Sequence, residues 1–219
     1  MVAMTIHIGM LLFPRLTQLD LTGPYEFFHR IPNTRVHLLW KTLAPVHTEA
    51  GFGLLPTMTL AECPPLDVVF VPGGIGQVDL MADEEVLGFL RQHGANARYV
   101  TSVCTGALVL GAAGLLTGYQ ATTHWAYLDE LSALGATVTK GRVVRDRNRI
   151  TAGGVTAGID FGLMLAAELA GEAFAKELQL GLEYDPAPPF RSGHPDLADP
   201  ALVEKVRARL KSRRAAPSS

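Results

Sequence analysis

The stretch Tyr99–Leu110, YVTSVCTGALVL, decides the fold. An apolar, β-branched run leads directly into Cys104, and the small residues Gly106 and Ala107 then open a helix expected to continue to Leu116. A strand that turns into a helix this abruptly exposes the turn residue at its carboxyl end, the arrangement of a nucleophile elbow. The same alternation extends in both directions. Upstream lie the short apolar strand Val68–Val71, ending at Pro72-Gly73-Gly74, and a helix introduced by Asp83 and Glu84 and running through about Gln92. Before them come the continuous apolar run Ile6–Phe13, a helix over Asp20–Ile31 with Gly23-Pro24 in its opening turn, and the strand Arg35–Lys41. Val46–Leu55 has the look of a hairpin.

Downstream, Thr123–Leu134 is helical in pattern, Ala136–Thr139 extended, and Arg142–Thr151 a hairpin turning at Asp146–Asn148. Thr156–Leu169 is a strongly apolar helix, followed by another over Ala173–Leu182. Strands alternating with helices predict an α/β fold, a single-domain sandwich with a mostly parallel central sheet covered by helices on both faces. In such folds ligands bind beyond the carboxyl ends of the strands. The Pro186-Ala187-Pro188-Pro189 break sets the expected division at residue 190, with 1–190 as the domain and 191–219 as a C-terminal extension holding the basic helix Ala201–Arg214.

Composition narrows the class. Of 219 residues, 48% are hydrophobic and 18% charged, which describes a folded globular chain. A net charge of −2 gives no overall basic character, so no nucleic-acid partner is expected. The charge is unevenly spread: residues 203–214 hold six basic side chains and one acidic, leaving 13 basic against 20 acidic on residues 1–202. That terminal basic helix is expected to be a solvated face. No apolar run reaches the roughly 18 residues that span a bilayer, and Ile6–Pro14 lacks a basic n-region and a cleavage site. A soluble, cytoplasmic protein without membrane contact is the expectation. Two cysteines, Cys63 and Cys104, cannot build a disulfide framework. Neither CxxC nor HExxH occurs, nor a GxGxxG or phosphate-loop pattern, so neither a metal nor a cofactor is expected.

Cys104 is the residue with chemical promise. At a helix N-terminus the partial positive charge favours a thiolate, although free cysteines are also commonly buried for structure alone. Cys63, ahead of Pro64-Pro65, is read as structural. Gly153-Gly154 precedes the apolar helix, either as a close backbone approach beside Cys104 or as ordinary turn chemistry. Tyr25, Phe28, Trp125 and Phe190 are either pocket walls or core.

Leu19-Asp20-Leu21-Thr22-Gly23-Pro24, Val71-Pro72-Gly73-Gly74, Ser102-Val103-Cys104-Thr105-Gly106 and Ala121-Thr122-Thr123-His124-Trp125 together resemble the ThiJ/PfpI superfamily, with its class I glutamine amidotransferase-like fold. Within it they are most similar to the isocyanide hydratases. The likeness continues through Gly153–Asp160 and Leu182–Phe190. It implies Cys104 as nucleophile and Asp20 as its acidic partner; by itself Asp20 is equally a helix N-cap. It also implies a pocket for the developing anion from the amides of Gly73 or Gly74 and Thr105; His124 is either a polar wall of the site or a structural histidine, and Thr156, at the start of the apolar helix, is expected near the site. Thr105 stands where protease-like relatives carry histidine, which argues against a Cys-His dyad.

The implied reaction is hydration of organic isocyanides to N-substituted formamides through a covalent thioimidate, in a homodimer. The alternatives are a non-catalytic ligand or cysteine-oxidation sensor and a glyoxalase-like aldehyde hydratase. Regulators with such a domain carry a helix-turn-helix module after it, for which the 29 residues following Phe190 are short. His194-Pro195-Asp196 is read as a surface loop.

Overall fold

The computed structural model describes residues 4–215. In chain order the elements are β1 (Ile6–Leu11), α1 (Gln18–Phe28), β2 (Thr34–Trp40), β3 (Val46–His47), β4 (Gly53–Leu54), β5 (Met58–Thr59) and β6 (Val68–Val71). Then follow α2 (Gln77–Leu80), α3 (Glu84–Gly94), β7 (Tyr99–Val103), α4 (Gly106–Ala112), β8 (Gln120–Ala121), a 3-10 turn at Trp125–Tyr127, α5 (Leu128–Ala133) and β9 (Thr137–Val138). The chain continues through β10 (Val143–Asp146), β11 (Arg149–Ala152), α6 (Ala157–Ala170), α7 (Glu172–Gly181) and α8 (Pro200–Ala215).

Seven strands form one sheet in the order β10-β11-β7-β6-β1-β2-β5, parallel throughout except for β10 against β11. The chain winds outward from β1 through β2 to β5, then returns to build β6, β7 and β11 on the other side. The reversal lies between β1 and β6, where an open α/β sheet forms a crevice at its carboxyl edge. Register brings the loops together there. Val71 pairs with Ser102 and Val103 with Ala152, so Pro72-Gly73, Cys104 and Gly153 leave the sheet side by side.

Helices α1 and α6 are tied to the strand between them by three buried phenylalanines. Phe28 of α1 meets Phe70 of β6 and Phe161 of α6 edge-on at 6.0 and 5.7 Å, and Phe70 stacks on Phe161 at 5.6 Å. Such pairs add about 0.5–1.5 kcal/mol each beyond their burial, and they hold fixed the elements that carry the loops at the carboxyl edge.

The expected fold class is observed, with differences at element boundaries. Helix α1 begins at Gln18, so Pro24 lies inside it and not in its opening turn. The Pro24 ring faces Gly158 of α6, where an added Cβ would approach it to 3.2 Å. Helix α4 stops at Ala112, short of Leu116, as the chain turns and the Leu115 amide bonds back to the Leu110 carbonyl at 3.0 Å. Both expected hairpins form, as β3–β4 and β10–β11. β9 falls within the expected extended stretch Ala136–Thr139, while the two-residue strands β5 and β8 are too short to show a period in sequence. Among the described residues no helix is long and apolar enough to cross a membrane.

Gly106 marks the tightest passage of the elbow. A Cβ there would lie 2.1 Å from the Val71 carbonyl oxygen and 2.7 Å from that of Pro72, both backbone atoms that cannot step aside. Gly88, within α3, has nothing within 4 Å of such a position. Urea unfolding is therefore expected to show Gly106→Ala losing at least about 2 kcal/mol, while Gly88→Ala gains about 0.5–1 kcal/mol from helix propensity.

Candidate active site

Cys104 has φ +54°, a left-handed conformation that an L-residue other than glycine adopts at a cost of about 1–3 kcal/mol. Three hydrogen bonds hold it there. Its amide donates to the carbonyls of Ala152 at 3.0 Å and Gly153 at 2.9 Å, and its carbonyl accepts the Thr123 hydroxyl at 2.7 Å. The elbow expected from YVTSVCTG is thus a strained turn, clamped by the loop after β11 and by the strand-like segment before His124.

Asp20 comes to the same place from the other side of the crevice. It is completely buried in the first turn of α1, where Thr17 and not Asp20 is the N-cap residue. Its Oδ2 accepts the Gly73 amide at 2.9 Å, and Gly73 returns its carbonyl to the Thr17 amide at 2.9 Å. Oδ1 is buried with no hydrogen-bond partner among the described residues. The positions cannot spread apart: a Cβ on Gly73 would meet the Thr105 nitrogen at 2.6 Å, Asp20 Oδ2 at 2.7 Å and Cys104 Cβ at 2.8 Å.

Burial dominates the electrostatics of this pair. It pushes the Asp20 carboxyl up to about 7, against the lowering effect of the Gly73 amide and the Cys104 thiol, with the Glu49 carboxylate adding a further rise. Burial and then the charge on Asp20 drive the Cys104 thiol well above its ordinary value; the backbone amides of Val155 and Thr105 pull the other way and lose. Burial thus works against the thiolate that the helix N-terminus favours. Asp20 is the titratable group whose carboxyl lies in hydrogen-bond reach of the Cys104 thiol.

The remaining expected residues separate into two sets. The Gly74 amide is occupied by the Thr105 hydroxyl at 3.0 Å, as Gly73's is by Asp20, so these two amides brace the elbow and leave the Thr105 and Val155 amides as the donors near sulfur. The Val155 amide escapes sequence reading because any residue type supplies one. His124 and Thr156 lie at the rim of a cavity of about 680 Å³ whose lining includes Thr123, Gly153 and Val155, the residues that bond Cys104. Burial holds the His124 imidazole down to about 4, and its Nδ1 accepts the Ala126 amide at 3.3 Å, so the ring is a neutral wall. Thr156 is exposed and accepts a hydrogen bond from Arg142 at 3.2 Å.

Gly193–Asp196 also lines the cavity, so the His194-Pro195-Asp196 segment is a loop with a place at the rim. Of the four aromatic candidates only Trp125 lines it; Phe28 is core and Phe190 is 77% exposed. Cys63 donates its thiol to the neighbouring Pro64 carbonyl at 3.4 Å and is pushed up to about 11 by burial, away from this chemistry.

The profile of the DJ-1/PfpI family matches residues 7–168. The chain belongs to the DJ-1/PfpI family. It is 58% identical over 215 residues to an isonitrile hydratase of Pseudomonas putida, covering 98% of this chain and 92% of that protein. A solved ThiJ/PfpI family protein from Pseudomonas syringae superposes with a TM-score of 0.93 at 44% identity, over 96% of this chain and 88% of that one. The HTH-type transcriptional regulator GbdR of Pseudomonas aeruginosa is 29% identical over 184 residues, 80% of this chain but 48% of the regulator. In this DJ-1/PfpI domain the cysteine, the carboxyl and the glycine cradle are contributed by β7–α4, α1 and the end of β6.

The raised carboxyl of Asp20 has a thermodynamic signature. The folded state holds this proton above the ordinary carboxyl value of 3.8, so its contribution to stability is complete below about pH 4 and is lost as pH rises through about 7. Wild type is expected to lose stability relative to Asp20→Asn between pH 4 and pH 8, by on the order of 3–4 kcal/mol. Parallel pH–stability curves for the two proteins would contradict the assignment.

Proposed function

We propose that this protein hydrates organic isocyanides, R–N≡C, to N-substituted formamides. The observation that carries the reading is the buried Cys104–Asp20 pair, combined with 58% identity across nearly the full length to an isonitrile hydratase. An isocyanide carbon accepts both a nucleophile and a proton, which a protonated thiol beside an exchangeable carboxyl supplies together. Sulfur bonds to the terminal carbon, the thiol proton reaches that carbon by way of Asp20, and the product is a thioimidate, R–N=CH–S–Cys104. Water then adds to the same carbon while Asp20 takes one of its protons and passes it to the nitrogen, giving R–NH–CH(OH)–S–Cys104. Collapse breaks the C–S bond, carries the hydroxyl proton through Asp20 to sulfur and releases R–NH–CHO. Splitting one hard addition into two easier ones is the gain from covalent catalysis.

The amides of Thr105 and Val155 stabilise charge on sulfur in the transition state. Gly73 and Gly74 hold Asp20 and Thr105 in place, and the cavity rimmed by Trp125, His124 and Thr156 takes the organic substituent. No metal or cofactor takes part in this scheme. A cytoplasmic location and a homodimer belong to the same reading; exposed Leu180, Phe190 and Leu197 offer apolar surface for a second copy. Residues 1–190 form the catalytic domain and 191–219 the extension, with 1–3 and 216–219 outside the described residues. An oxidation sensor needs a thiolate at neutral pH, and the burial of Cys104 opposes it.

Formamide production from an aryl isocyanide, followed by ultraviolet absorbance, tests the proposal. Cys104→Ala is expected to abolish turnover, and Asp20→Asn to lower kcat by about 10²–10⁴-fold. An inactive wild type that converts a glyoxal instead would move the assignment to the aldehyde hydratases.

A further inference from the structure

The C-terminal helix α8 reaches into the neighbourhood of the site at three points. The Arg207 guanidinium lies over the Trp125 ring at 5.0 Å and lines the substituent cavity. Arg214 lies over Tyr127 at 5.4 Å and forms an ion pair with Glu130. Arg213 pairs with Glu49 Oε2 at 3.1 Å across 164 residues of chain. The basic helix is thus docked by three of its arginines, and the expected solvated face fails at Arg207 and Arg214, while Arg213 pairs from an exposed position.

The third contact continues inward. Glu49 Oε1 accepts the Thr17 hydroxyl at 2.8 Å, which is why Thr17 makes no side-chain cap to its own helix. The backbone of Thr17 in turn receives the Asp20 amide on its carbonyl at 3.0 Å and gives its own amide to the Gly73 carbonyl at 2.9 Å. Thr17 therefore bonds to the Asp20 backbone and to Gly73, whose amide holds the Asp20 carboxyl. We propose that Arg213 is a positioning residue for the reaction: by pairing with Glu49 and holding it on Thr17, it offsets part of the charge that faces Asp20 and trims the hold on its proton.

The surrounding charges leave this role to Glu49. The groups facing Asp20 are the Gly73 amide, the Cys104 thiol and the Glu49 carboxylate, and Glu49 is the one that repels an ionised Asp20. Glu49 itself faces Thr17 from α1 and Arg213 from α8, while its amide donates to the Leu16 carbonyl at 3.0 Å. Nearby Arg15 is engaged with Asp79 at 2.8 Å, and His47, two residues before Glu49, is exposed. Side chains of Glu49 and Arg213 are 20% and 50% exposed, so the coupling is partly screened by water and salt.

This proposal rests on Asp20 exchanging protons with Cys104, and the test reads the Asp20 carboxyl itself without any isocyanide. Its titration is followed against pH at low ionic strength by the carboxyl ¹³C shift of aspartate-labelled protein, assigned by the signal lost in Asp20→Asn. Arg213→Ala leaves the Glu49 charge unbalanced and is expected to move the midpoint upward by about half a pH unit. Glu49→Gln is expected to move it downward by a similar amount, and Arg213→Lys to restore the wild-type midpoint. Adding Arg213→Ala to Glu49→Gln is expected to have no further effect, because the arginine acts through that carboxylate.

Coincident midpoints in all variants overturn the proposal, as does an Arg213→Ala shift that persists in the Glu49→Gln background. Circular dichroism at each pH identifies any variant that has lost its fold; the Arg213→Lys and Glu49→Gln pair then carries the decision alone. Absence of isocyanide turnover in the wild type would overturn the hydratase reading and leave this result standing.

Discussion

The structure depends on one enforced backbone conformation. Cys104 is held left-handed because its amide is shared between the Ala152 and Gly153 carbonyls and its own carbonyl is taken by Thr123. Gly106 then passes against the Val71 and Pro72 carbonyls with no room for a side chain. Strain of this size persists only where the surroundings over-determine it. Here the parallel register of β6, β7 and β11 delivers all the clamping groups to one edge of the sheet. The phenylalanine cluster of α1, β6 and α6 keeps the remaining contributors in line.

Given that placement, desolvation decides the chemistry. A helix N-terminus is worth at most a kcal/mol or two to a nearby anion, whereas the removal of water from both groups raises the carboxyl to about 7 and the thiol further. The site therefore pairs a thiol and a carboxyl that burial disposes to keep their protons. Such a pair suits a substrate whose carbon needs sulfur and hydrogen together, and it suits a preformed thiolate nucleophile less well.

Much of this was legible in the sequence because it is local. YVTSVCTG carries the elbow through a strand-like run and small residues, and Gly73 advertises a close approach that proves to be the cradle around Asp20. What stayed hidden is long-range. No pattern indicates that the Gly73 and Gly74 amides are already bonded, that Val155 presents its amide to the thiol, or that Asp20 lies three residues beyond a threonine bonded to Glu49. The basic run of α8 looks like a solvated helix because its partners, Trp125, Glu130 and Glu49, lie far away in the chain. The desolvation of Cys104 and Asp20 stayed hidden for a related reason: burial is a property of the fold and not of the neighbours in sequence.

The central claim is that Cys104 bonds to the isocyanide carbon. It is tested most directly by mixing the protein with an aryl isocyanide, quenching with acid within the first turnover and weighing the intact chain. The account predicts a mass gain equal to one whole isocyanide, mapping to the peptide that contains Cys104 and missing from Cys104→Ala. Rapid turnover with no adduct at any quench time, or an adduct confined to Cys63, would contradict it.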